Sequence, residues 1–169
     1  TQTANLQSSY PASIKGVQDV EIRPKISGFI TKLCVREGQT VKRGQLLFVI
    51  DNVTYAAAVR QAKAAVNSAK AQLNTATLTY ENSQKLFKNN VIGSYELQSA
   101  KNSYESAKAA LAQAQANYVS AKQNLDFCYV TSPANGVVGD LPYEVGALVS
   151  SSNAEPLTTV SDINSMQVY

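Results

Sequence analysis

VRQAKAAVNSAKAQLNTATLTYENSQKLFKNNVIGSYELQSAKNSYESAKAALAQAQANYVSAKQNL, residues 59–125, carries two apolar seams that mirror each other around Ile92. Before Ile92, Val59, Ala62, Val66, Ala69, Leu73, Ala76, Tyr80, Ser83 and Phe87 recur in alternating steps of three and four. After it, Leu97, Ala100, Tyr104, Ala107, Leu111, Ala114, Tyr118, Ala121 and Leu125 do the same. Such spacing puts each set on one stripe of an α-helix. With only a few residues between the stripes, they can bury each other only in an antiparallel hairpin.

The seams also predict a register. Val59 with Leu125, Val66 with Tyr118, Leu73 with Leu111, Tyr80 with Tyr104 and Phe87 with Leu97 all sum to 184 in residue number, and the Ala and Ser positions pair at 183. Large residues then meet at one level and small ones at the next, with the turn near Ile92. The seven-residue repeat implies a slight left-handed supercoil. Asp51 or Thr54 is expected to cap the first helix, and Asn89, Asn90 and Gly93 to end it. Ser94 is the expected cap of the second helix, with Glu96 in its first turn and Lys122 in its last. A hairpin of such helices projects ~50 Å at ~1.5 Å per residue.

Off the seam, Ala56, Ala57, Ala64, Ala65, Ala71, Ala109, Ala110, Ala112 and Ala116 alternate with Ser, Asn, Gln and Thr. Two readings stand side by side. Alanine is the best helix former, or these smooth, weakly charged faces pack against neighbouring hairpins. Lys101, Lys108 and Lys122 line a stripe that reads as a solvated face.

On either side of the hairpin lies a β-repeat. SGFITKLCVREGQTV (27–41) and NGVVGDLPYEVGALV (135–149) align at a constant offset of 108: Gly28 with Gly136, Ile30 with Val138, Leu33 with Leu141, Gly38 with Gly146, and Val41 with Val149. After a two-residue insertion Leu47 aligns with Leu157 and Ile50 with Val160. Gly28, Gly38, Gly44, Gly136 and Gly146 are expected at the structural turns. Neither half has the apolar surface to fold alone, and together they can form one flattened barrel-like sandwich. The predicted fold class is α+β, a β-sandwich interrupted by a long antiparallel coiled-coil hairpin. The predicted division is 17–52 with 127–162 for the β-domain and 53–126 for the hairpin, with 1–16 and 163–169 as flanks.

Composition narrows the function. The chain has 169 residues, net charge +3 and no histidine, which removes the commonest general base and zinc ligand. The charge is uneven. Residues 1–53 carry seven basic and four acidic groups, residues 54–126 eight and four, and residues 127–169 none and four. The opposite signs of the end segments suit two halves that fold together. No basic patch with interleaved aromatics argues for nucleic acid. No catalytic residue, cofactor-binding motif or metal set is predicted: GQTVKRGQ lacks the ending of a phosphate loop, and the carboxylates are scattered. No apolar run approaches the ~20 residues of a membrane-spanning helix. The opening TQTANLQSSYPAS lacks a leader's basic head and apolar core, as a trimmed mature chain would. Cys34 and Cys128 form no CxxC pair and read as free thiols, with a disulfide as the alternative.

The Gly-punctuated β-repeat resembles biotinyl and lipoyl carrier domains, whose central turn presents a modifiable lysine. Here LLFVID runs straight into NVTYAAAVRQAKAAV, with no lysine in a tight turn, so a carrier role is disfavoured. DVEIRPKISGFITKLCVREGQTVKRGQLLFVID followed by TYAAAVRQAKAAV, with the return SPANGVVGDLPYEVGALVS and LTTVSDINSMQVY, resembles the periplasmic adaptor (membrane fusion protein, HlyD-like) family of tripartite efflux pumps, in particular adaptors of resistance-nodulation-division pumps. The resemblance covers about residues 10–169. It implies a non-enzymatic periplasmic adaptor without cofactor, anchored to the inner membrane in the full-length protein, that bridges an inner-membrane transporter and an outer-membrane TolC-like channel. It also implies self-association as a hexamer, with six hairpins side by side and lipoyl units in a ring. The flanks 1–16 and 163–169 would then belong to an adjoining β-barrel, and the chain would be a fragment lacking most of that barrel, the membrane-proximal domain and the anchor. An adaptor of an ABC-type exporter or type I secretion system is the nearest alternative, and a freestanding coiled-coil scaffold leaves the β-repeat unexplained.

The resemblance places the channel contact at the hairpin tip, Asn82, Leu86, Asn89, Asn90, Val91, Ile92, Gly93 and Ser94. The family's tip commonly carries Arg, a Leu four residues on and a Ser seven further. Leu86 fits, whereas Asn82 and Gly93 depart from it, which implies an altered contact.

Overall fold

The computed structural model describes residues 19–162. Four strands come first: β1 (Asp19–Ile22), β2 (Gly28–Leu33), β3 (Thr40–Val41) and β4 (Leu46–Ile50). Two helices follow, α1 (Val53–Lys88) and α2 (Ser94–Asp126). Then come β5 (Tyr129–Thr131), β6 (Gly136–Val138), β7 (Leu148–Val149) and β8 (Thr158–Ser161). The described residues divide into two compact units, one formed by 19–52 together with 126–162, the other by Val53–Leu125. The expected flanks at 1–16 and 163–169 lie outside the described residues.

In the β unit the strands form two antiparallel four-stranded sheets, ordered β1-β8-β6-β3 and β5-β4-β2-β7. Exchanging β1 with β5, β2 with β6, β3 with β7 and β4 with β8 turns the first order into the second. The repeat seen in the sequence is therefore a pseudo-two-fold of the fold, and each half of the chain supplies strands to both sheets. This follows from the alternating pattern of each half, which leaves an apolar face that only the other half can cover. Equivalent positions share the core: Ile30 and Val138, Val41 and Val149, Leu47 and Leu157, and Ile50 and Val160 are each at most 1% exposed. Phe48, from the first half, is fully buried among them.

The loops repeat as well. The Gly38 amide donates to the Val138 carbonyl (2.8 Å), and its equivalent Gly146 donates to Ile30 (2.7 Å). Both glycines have positive φ, 79° and 97°, as does Gly44 at 84°, a region that L side chains enter only at a cost. Gly28 and Gly136 are not in turns. They begin β2 and β6, where a Cβ on Gly28 would come within 2.6 Å of Ile50 Cγ2 and one on Gly136 would run into the Ser161 carbonyl oxygen. Close strand approach, rather than chain reversal, demands glycine there.

Cys34 and Cys128 are not bonded to each other; Cys128 is fully buried, with its Sγ 3.9 Å from the Asp51 carbonyl. The Cys34 amide donates to Leu47 and the Ile50 amide to Cys128, so the two flank β4 on opposite sides, ~10 Å apart across two strand spacings. That is too far for the disulfide considered above. Burial, with the Asp51 charge adding to it, raises the Cys128 thiol above its ordinary value.

Asp140, Glu144 and Glu155 of the second half make no ion pair with the first half among the described residues, and the one such pair, Arg23 with Glu21, lies within the first half. The halves are joined by apolar burial, by backbone hydrogen bonds and by charged side chains that bond polar groups across them: Arg23 Nη1 donates to the Asn153 carbonyl (2.7 Å), Glu37 Oε1 accepts from the Leu141 amide (3.3 Å) and Asp19 Oδ1 accepts from the Ser161 hydroxyl (2.6 Å).

In the helical unit, the nine predicted seam positions of α2 are half-buried and every other residue of 94–125 is exposed. In α1 the seam is covered from Val59 to Ser83, with Val66 and Ala69 buried to 8% exposure. The rings of Tyr80 and Tyr104 stack with centroids 5.5 Å apart, which fixes the register that sums to 184. Lys108 and Lys122 lie over Tyr104 and Tyr118, 6.0 and 5.5 Å from the ring centroids, so this basic stripe edges the seam. Three helix-end expectations change. α1 begins at Val53, which leaves Thr54 inside the first turn. Ser94 is the first helical residue rather than a cap. α2 runs to Asp126 with no basic residue in its last turn, so Lys122 sits too far back to serve its C-terminal dipole.

Candidate functional site: the hairpin tip

Residues 89–93 reverse the chain through hydrogen bonds that follow from their identities. Asn90 has φ 63°, the left-handed conformation that asparagine tolerates better than other side chains. Its amide donates to the Phe87 carbonyl (3.0 Å), and the next amide, Val91, reaches back to Leu86 (2.8 Å). This pair of bonds closes the last turn of α1 in a Schellman arrangement centred on Asn90. Lys85 and Lys88 stand in that last turn, where the helix dipole favours cations. On the far side, the Gly93 carbonyl accepts from Leu97 (3.3 Å) and its amide donates to Glu96 Oε2 (3.0 Å). Gly93 therefore occupies the cap position of α2, and Glu96 supplies the returning half of a capping box.

Of the sequence-predicted tip residues, Leu86 and Ile92 are half-buried, and Asn82, Asn89, Asn90, Val91, Gly93 and Ser94 are exposed. The structure gathers Leu86 and residues 89–94 into one turn, and leaves Asn82 a full helical turn back along α1. Phe87 departs from its seam role: it is 41% exposed, because the chain leaves helical geometry just beyond Lys88 and the last seam level does not close. Tyr95 is 82% exposed and Val91 65%. Sequence reading passed over Tyr95, although a large aromatic two residues ahead of the seam position Leu97 is a detectable signal. The tip thus exposes three large apolar side chains, Phe87, Val91 and Tyr95, on a tightly hydrogen-bonded turn flanked by Lys85, Lys88 and Glu96.

Such a surface can dock. No group of three or more metal-ligating side chains occurs among the described residues, nor does a helix long and apolar enough to cross a membrane. At the position where a carrier domain would display its lysine, β4 passes through Asp51 and Asn52 directly into α1.

A pseudo-symmetric β-sandwich with a long helical hairpin spliced into its sequence midpoint defines a barrel-sandwich adaptor. The chain matches the family described as RND MFP, barrel-sandwich hybrid domain, over residues 18–161, and it belongs to that family of membrane fusion proteins. It is 33% identical over 168 residues to the multidrug efflux pump subunit AcrA of Escherichia coli K12, covering 99% of this chain and 42% of that protein. It is 34% identical over 167 residues to the solvent efflux pump periplasmic linker SrpA of Pseudomonas putida, covering 99% and 40%. Among solved structures, a MacA–MexA chimeric protein containing the Pseudomonas aeruginosa MexA α-hairpin domain matches with TM-score 0.67 and 34% identity over 86% of this chain and 48% of that one. The chain spans about two fifths of the length of these curated relatives.

Proposed function

We propose that the chain is the adaptor segment of a tripartite efflux pump of the resistance-nodulation-division type, located in the periplasm and held at the inner membrane in the full-length protein. Residues 17–52 with 127–162 serve as the lipoyl-like unit, and residues 53–126 as the hairpin that spans toward a TolC-like outer-membrane channel. Copies of the chain associate side by side, the hairpins acting as staves of a conduit. The role is structural, without catalysis or cofactor. One observation carries this reading: the insertion of an uninterrupted helical hairpin, with an apolar exposed tip, at the place where carrier domains present their lysine.

The tip contact is assigned to Leu86, Asn89, Asn90, Val91, Ile92, Gly93 and Ser94, with Asn82 on the approach and with Tyr95 and Phe87 added by their exposure. The test is drug susceptibility of a strain whose only adaptor is the full-length protein. Tyr95→Asp and Val91→Asp place a charge on an exposed surface without touching the seam, and are expected to reduce resistance to the level of the adaptor-less strain at unchanged protein abundance. Leu86→Asp and Ile92→Asp should do the same, with some loss of hairpin stability because both are half-buried. Full resistance in all four variants would remove the tip from the function.

A further inference from the structure

The pseudo-two-fold that exchanges the two halves of the β unit inverts their charge. Lys32 is equivalent to Asp140, and Arg36 to Glu144. Among the described residues all the cations of the unit lie within 19–52, Arg23, Lys25, Lys32, Arg36, Lys42 and Arg43, whereas residues 126–162 contain none. Lys42 and Arg43 stand on the β3–β4 turn. Their amides are tied down by Gln45 Oε1 (3.1 Å) and Asn135 Oδ1 (2.7 Å), and Gly44 bonds the Ser132 carbonyl (2.7 Å). The turn is thus a fixed projection with two exposed cationic side chains.

The other half has a hollow instead. Asp140, Pro142, Glu155, Pro156, Thr158 and Thr159 line a cleft of about 270 Å³. Its floor is rigid, since the buried Thr158 hydroxyl donates to the Asp140 carbonyl (2.8 Å). Asp140 and Glu155 are exposed at its rim, and no cation lines it. None of Lys42, Arg43, Asp140 and Glu155 makes an ion pair among the described residues.

We infer that the occupant of this acidic cleft is the Lys42–Arg43 turn of a second copy of the chain, in a head-to-tail contact between β units. Charge complementarity selects the partner: the projecting element carries two cations, the receiving one two carboxylates, and both are present on every copy. The two surfaces are different, so the contact is heterologous, and repetition yields a closed ring when the rotation per copy permits. A two-fold dimer through either surface would set cation against cation or carboxylate against carboxylate. The inference rests on the self-association proposed above and names the surfaces that carry it.

Sedimentation velocity of the full-length protein in detergent tests it. Between ~0.01 M and ~0.15 M salt the Debye length falls from ~30 to ~8 Å, so association through this contact should weaken with salt. Lys42→Glu/Arg43→Glu and Asp140→Lys/Glu155→Lys should each weaken self-association about tenfold, since each leaves like charges facing across the contact. Mixing the two double variants should restore association, because the reversed turn of one fits the reversed cleft of the other. Wild-type assembly that ignores both salt and the double variants would overturn the contact, as would a mixture no better than either variant alone. A wild type that stays monomeric at low salt would overturn it together with the self-association on which it rests. Resistance in cells reports separately on the pump reading: a drug-sensitive strain with salt-dependent assembly intact leaves this contact standing.

Discussion

The β unit and the helical hairpin come from one chain and are held by opposite means. Among the described residues, all but two of the buried apolar side chains belong to the β unit, and the hairpin adds only Val66 and Ala69, each still 8% exposed. The β unit closes around its own core, with the halves covering each other. The hairpin has one seam, mostly half-buried, and helix faces of Ala, Ser, Asn and Gln that cover nothing within the unit. Helical stability in proteins comes largely from packing an amphipathic face, so a pair of helices with a single narrow seam is stable mainly through length and alanine content. A unit that is complete by itself suits a base. A unit that is incomplete by itself suits a stave that gains from neighbours, which is the side-by-side association proposed above.

Truncation in each unit breaks the comparison most directly. Phe48→Ala empties the largest fully buried position of the β unit and should cost ~3–5 kcal/mol. Val66→Ala, at the best-covered level of the hairpin, should cost only ~1–2 kcal/mol, because less apolar area leaves water there and the site can relax. Hydrogen exchange resolved by segment reads the two independently. Phe48→Ala should raise exchange across β2, β4 and β8 while the middle of α1 keeps its rate. A loss at Val66 as large as that at Phe48 would show that the hairpin is as fully packed as the sandwich.

A second contrast lies within the β unit. Gly28 and Gly136 are equivalent by the repeat, but what crowds them differs. A Cβ at Gly136 meets the Ser161 backbone carbonyl and the Val160 side chain, whereas one at Gly28 meets only the branch methyl, Cγ2, of the buried Ile50. Backbone cannot step aside, whereas the methyl can yield by a small χ1 rotation against the packed core. Gly136→Ala should therefore cost ~2–3 kcal/mol and Gly28→Ala ~1 kcal/mol, measured as shifts in the denaturant midpoint of the β unit. Equal costs would mean that the strands at both ends adjust alike and that the asymmetry is without consequence.

The same contrast explains what the sequence revealed. The hairpin seam, its register and the 108-residue repeat were legible because periodicity is a property of the residues themselves: Tyr80 stacks on Tyr104 as the spacing requires. The flattened sandwich followed from two half-cores, each too small alone. Helix ends were less legible. Asp51, Asn52, Val53 and Thr54 lie within a turn of one another, and which one caps depends on how the chain leaves β4. At the second helix Ser94 is the better cap by residue type, yet Glu96 can bond the Gly93 amide, and that geometry puts the start at Ser94 itself. The exposure of Phe87 was hidden because its spacing is in phase with the seam and only the left-handed turn at Asn90 takes the chain away. The charge inversion between halves was visible as composition, but its lack of internal pairing could be seen only once Lys42, Arg43, Asp140 and Glu155 had positions.

The smallest expected effect concerns that turn. Asn90 is the non-glycine residue with positive φ among the described residues, and its backbone closes α1 by presenting the Val91 amide to Leu86. In Asn90→Ala the left-handed conformation becomes dearer by ~1 kcal/mol, and the loss stays local because neither the seam nor the β unit touches the cost. Exchange of the Val91 and Asn90 amides should quicken about fivefold, while amides near Val66 keep their rates. If Asn90→Ala leaves the Val91 amide as protected as before, the turn is held from its other side, by half-buried Ile92 and the Gly93–Glu96 bond. The tip would then owe its shape to the second helix, and Gly93 would be the residue that sets how Val91 and Tyr95 are presented.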